Sequence, residues 1–121
     1  MYKKIAGVRD ADDEIDIIDE MIDRFGEIPS ETMNLIKISR IKALAGDCGF
    51  ARIVKHGNKF DFFSQPGGGP QPRSIAEAAD RYGTRLLIHG GVNPMIRYTA
   101  KYLGNIRRML EELVGVLESF L

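Results

Sequence analysis

The sequence predicts a small α+β domain: two N-terminal helices, a β-hairpin, a short helix, a third strand completing a small sheet, and a long C-terminal helix. Three observations carry that reading. Residues 11–25 recur as apolar and acidic at helical spacing. From Phe50 the pattern turns to β-branched and aromatic runs split by His56-Gly57-Asn58. Beyond Pro94 apolar residues alternate four and three apart as far as Phe120.

Tyr2 to Ala6 reads as a short helical stub. Asp10 is the expected N-cap of the next helix, its carboxylate accepting first-turn amides, with acidic residues behind it facing the helix dipole. Ile15, Ile18, Ile22 and Phe25 are the expected buried stripe, with Phe25 as its last knob; Asp16, Glu20 and Asp23 lie opposite. Gly26 stops this helix and Pro29-Ser30 opens another, whose expected buried stripe is Leu35, Ile38, Ile41, Ala45 and Cys48. The hairpin pairs 50–55 with 59–63. Ser64 to Pro72 reads as a flexible loop, and Ser74 as the cap of a short helix ending at Tyr82 before Gly83. Arg85 to His89 is a strand buried in its middle. Asn93 then caps a helix of about 27 residues, roughly 40 Å long. Its seam runs through Thr99, Leu103, Ile106, Leu110, Leu113, Leu117 and Phe120, broadened by Met95, Tyr102, Met109 and Val116.

The 121 residues form one domain, 1–121, of ordinary globular composition, 44% apolar, with 17 basic and 17 acidic residues. The zero sum hides segregation: residues 1–9 carry +3, 10–31 carry −9, 32–110 carry +9 and 111–121 carry −3. A single cysteine excludes an intrachain disulfide, and no apolar run is long enough to span a bilayer. A cytoplasmic domain without a membrane segment is expected.

No catalytic constellation stands out. Gly67-Gly68-Gly69 is followed by Pro70 rather than Lys, so the run lacks the cation that a phosphate loop needs. His56 and His89 have no ligand partner at chelating spacing; Asp61, across the hairpin from His56, is a weak one. Cys48 on an apolar stripe reads as packing. No catalytic residue, metal or cofactor is therefore assigned.

Two charged surfaces remain. The basic block runs through Lys37, Arg40, Lys42, Arg52, Lys55 and Lys59, then Arg97, Lys101 and Arg108 as a stripe on the last helix. Interleaved with Phe60, Phe62 and Tyr98, it offers the alternative of a nucleic-acid-binding module over residues 37–108. A solvated face partly neutralised by the acidic helix is the simpler account. The acidic strip of Asp16, Glu20 and Asp23 gains nothing from pairing within its helix. It is either a solubilising face or the complement of a basic surface on another domain.

The run Met21-Ile22-Asp23-Arg24-Phe25-Gly26-Glu27-Ile28-Pro29, with Tyr2-Lys3-Lys4-Ile5-Ala6 before it and Asn34-Leu35 and Arg40-Ile41-Lys42 after it, resembles the C-terminal domain of the bacterial transcription-repair coupling factors, the Mfd or TRCF family. The likeness is close over residues 2–50 and looser beyond; the glycine run of the 66–72 loop departs from the family pattern. Arg24, Phe25, Gly26 and Pro29 are its structural motif. The resemblance implies a fragment of a long multidomain protein whose motor, an ATP-dependent translocase on double-stranded DNA, lies elsewhere. It implies a non-catalytic domain that packs on the N-terminal UvrB-like module of the same protein. There it masks the UvrA-binding surface until RNA polymerase is engaged. Asp16, Glu20 and Asp23 are the expected interdomain contacts.

Overall fold

The computed structural model describes residues 2–91, 94–102 and 104–121. Helices α1 (Tyr2–Ala6), α2 (Ala11–Phe25) and α3 (Ser30–Asp47) lead into strands β1 (Phe50–His56) and β2 (Lys59–Ser64). Helix α4 (Pro72–Tyr82) and a 3-10 turn (Gly83–Arg85) follow, then β3 (Leu86–His89), β4 (Met95–Thr99) and α5 (Ile106–Glu118). The α+β class and the N-terminal helices stand as the sequence implies. The strands make one antiparallel sheet in the order β1-β2-β4-β3.

The expected long C-terminal helix is replaced by two elements. Over Met95–Thr99 inward residues alternate with half-exposed ones, Ile96 and Tyr98 pointing into the core, so a period of two overrides the four-and-three spacing. Asn105 then caps α5, its side chain accepting from the Arg108 amide at 3.2 Å. The 13-residue helix is about 20 Å long, half the expected length. Leu110, Leu113, Leu117 and Phe120 of the seam are buried with Met109 and Val116, while Thr99 belongs to β4 and Ile106 is exposed. Asn93 and Leu103 lie outside the described residues.

Helices α3 and α5 pack on each other and, with α4, cover one face of the sheet, burying Phe60, Phe62, Ile96, Tyr98 and Leu86. Cys48 joins this core, its thiol meeting the Leu117 carbonyl at 3.3 Å. A second, smaller cluster of Ile5, Val8, Ile17, Met21 and Ile36 ties α1 and α2 to the first half of α3.

Three local expectations are corrected, and the Ser64–Pro72 loop gains a defined contact. In α3 Leu35 is exposed and Ile36 fully buried, because α1 and α2 meet this helix on a different side from the main core. Helix α4 begins at Pro72, not with a Ser74 cap, since proline suits the first helical turn, where its missing N–H costs nothing. In β3 only Leu86 is buried; Leu87 and Ile88 are half exposed at the sheet edge. The Ser64–Pro72 loop folds back on the α3–β1 turn, with the Gln65 amide donating to the Gly49 carbonyl at 2.9 Å. Gly49 has φ +86, and a Cβ there would stand 2.4 Å from the Gly69 nitrogen.

Candidate interdomain surface on the second helix

The second helix is capped as expected. Asp10 accepts from the Asp13 amide at 2.9 Å, and Gly26, at φ +78, donates its amide to the Ile22 carbonyl. Pro29 stands at the N-cap of α3, so Arg24, Phe25, Gly26 and Pro29 together form the α2–α3 corner. The rotation of α2 about its axis differs from the expected one. Glu14, Ile17 and Met21 face the protein, while Ile15, Ile22 and Phe25 are 55%, 49% and 65% exposed and Ile18 half-buried. Phe25 is therefore an outward residue rather than the last core knob.

Charge sets this rotation. The Glu14 carboxylate accepts from Lys37 Nζ at 2.8 Å and from Arg40 Nη1 at 3.0 Å, and Arg40 also reaches Glu118 of α5 at 3.4 Å. On the neighbouring side Lys4 donates to Glu20 at 2.6 Å, which holds the Glu20 carboxyl below its ordinary range. Seating Glu14 against two cations of α3 brings Ile17 and Met21 into the small cluster. It turns the Ile15–Ile22 line outward.

The strip of Asp16, Glu20 and Asp23 is thus split. Asp16 and Asp23 are exposed and, with Asp12 and Asp19, make no ion pair among the described residues; Glu20 is turned toward α1. At 100° per residue the exposed aspartates border the outward line of Ile15 and Ile22. The sequence pattern contained the apolar stripe and the acidic strip but not the rotation, which depends on Glu14 meeting Lys37 and Arg40 in space.

Part of the basic block is spent within the fold. Lys37 and Arg40 are engaged as above. Arg97 lies on β4, not on a helix, and binds Asp61 through Nε at 2.7 Å and Nη2 at 3.0 Å. Lys101 lies ahead of α5 and Arg108 within it; both approach the Tyr102 ring. Phe60, Phe62 and Tyr98 face the core, so the aromatic rings expected among these cations are not available to stack bases. Glu112 accepts from the Tyr98 hydroxyl and from the Lys101 and Tyr102 amides; burial and this carboxylate push the Tyr98 phenol up.

Chemistry-bearing side chains are few. His56 comes to 3.2 Å from Asp61, but Arg97 occupies the same carboxylate, and no group of three metal-ligating residues occurs among the described residues. His89 closes β3. Burial pushes the Cys48 thiol up to about 11, so it is protonated at neutral pH. No described helix is long and apolar enough to cross a membrane.

A solved structure described as the C-terminal domain of transcription-repair coupling factor shares this architecture, with a TM-score of 0.83 at 20% identity over 98% of this chain and 75% of that one. No curated protein matches the sequence. The TRCF domain family model matches residues 1–75, from α1 through the start of α4. The chain belongs to the TRCF domain family.

Proposed function

We propose that the chain is the non-catalytic, autoinhibitory domain of a cytoplasmic transcription-repair coupling factor. It packs on the UvrB-like module of the same protein and masks the surface that binds UvrA. Engagement of RNA polymerase releases it during transcription-coupled nucleotide excision repair. The observation that carries this reading is the composite face of α2, with Ile15, Ile22 and Phe25 outward beside Asp16 and Asp23. Large apolar side chains lined up on the surface mark a protein contact, and the aspartates choose a basic partner. This face lies wholly within the residues the family model matches. In the full-length factor the motor would supply ATP turnover and double-stranded DNA binding.

The test is the full-length factor carrying Asp16→Arg and Asp23→Arg, with Glu20→Arg added in a second variant. Stronger UvrA binding and raised basal ATPase activity are expected, with the 121-residue domain still folded. Unchanged UvrA binding in both variants overturns the reading. Steeply salt-dependent duplex DNA binding by the domain alone would instead support the nucleic-acid module.

A further inference from the structure

The described helices cover one face of the sheet and leave the other open. On the other face side chains from all four strands fall into rows across the strands. One row is Val54, Asp61, Arg97 and Leu87; its neighbours contain Arg52 beside Phe63, and His56 beside Lys59. Arg52 and Lys59 are exposed, Leu87 is half exposed, and no described helix lies over them. The carboxylate on these rows is Asp61, and it is consumed by Arg97. That pair holds the guanidinium fixed with its Nη1 group unused by Asp61. The face therefore carries exposed cations on β1 and β2, a mutually neutralised ion pair at its centre, and apolar side chains, Val54 and Leu87, on its two edge strands.

Its dimensions suit one segment. Four strands about 4.8 Å apart and rows two residues apart give a patch about 14 Å on each side. That is the width of a single helix with its side chains, or a few residues of extended chain. A nucleic-acid strand fits less well: the Phe63 ring carries the Arg52 guanidinium at 4.3 Å from its centroid, which occupies the stacking surface a base would need.

We propose that this open sheet face binds an acidic amphipathic polypeptide segment, Arg52 and Lys59 taking its carboxylates and Leu87 its apolar side chains. The face is separate from α2 and does not depend on the autoinhibitory reading. A patch this small gives weak, salt-sensitive binding.

The probe is a synthetic helical peptide of about 14 residues built from Glu, Leu and Ala, titrated into the isotope-labelled chain and followed by amide shifts. An oligothymidylate and a Lys/Leu/Ala peptide serve as the other arms. Shifts clustered on β1, β2, β4 and β3 with the acidic peptide are expected. Arg52→Glu with Lys59→Glu should weaken binding about tenfold or more, in a protein whose spectrum shows it folded. The proposal is overturned if these amides stay unshifted at about 1 mM peptide, or if the charge-reversed variant binds equally well. It is overturned too if the oligonucleotide binds the same amides more tightly.

Discussion

The Glu14 carboxylate of α2 meets Arg40 Nη1 of α3 at 3.0 Å, with both side chains largely withdrawn from water. Lys37 completes the contact, and Arg40 carries it on to Glu118. Removing the acid leaves Lys37 without its carboxylate and Arg40 with only the longer contact to Glu118. Glu14→Ala is expected to destabilise the domain by about 2–4 kcal/mol, read by chemical denaturation. The loss should fall first on the α1–α2 contact, seen as faster amide exchange there than in α5.

Because this pair fixes the rotation of α2, residues two apart respond differently. Ile17 is buried and Ile15 is outward. Ile17→Ala should cost about 2–4 kcal/mol, and Ile15→Ala should stay within about 0.5 kcal/mol. Equal losses would show that the helix buries the other face.

The α3–β1 turn tolerates no side chain. Gly49→Ala forces a Cβ onto the Gly69 backbone at φ +86, whereas Gly57, in the hairpin turn at φ +60, has open space around it. Thermal denaturation should show Gly49→Ala losing several kcal/mol and Gly57→Ala about 1 kcal/mol.

The Cys48 thiol, pushed up to about 11 by burial, should resist alkylation in the native protein at neutral pH. It should react freely once denaturant unfolds the chain. Rapid native-state labelling would contradict its placement against Leu117.

Asp61 supplies an acid-side pH dependence. The hydrogen bonds from Arg97 hold its carboxyl below the ordinary range. Its contribution to stability is present above the unfolded value of about 4 and is lost as pH falls toward the lowered folded value. Melting temperature should therefore drop on acidification below about pH 4, and Asp61→Asn should flatten part of that slope.

Much of this was legible from local chemistry. Asp10, Gly26 and Pro29 bound α2 and α3 by capping rules that need no tertiary information. Positions that depend on distant residues were not. Which side of α2 is buried follows from Glu14 meeting Lys37 and Arg40. Met95–Thr99 became a strand because β2 and β3 offered it backbone partners on both sides, an opportunity invisible in a four-and-three apolar spacing. The interdomain face was present as residue types, but its exposure was a property of packing.

The sheet order β1-β2-β4-β3 sets a problem of assembly. Two local hairpins, β1–β2 and β3–β4, must join along a seam that pairs Phe60 with Tyr98 and Phe62 with Ile96. Each pairing closes a long stretch of chain, so this junction carries an entropic cost. Apolar residues alone would accept a shift of two positions. Asp61 opposite Arg97 rejects it, since a slipped strand leaves a buried carboxylate without its cation. This ion pair works as a register key, admitting one alignment of the two hairpins and rejecting its neighbours.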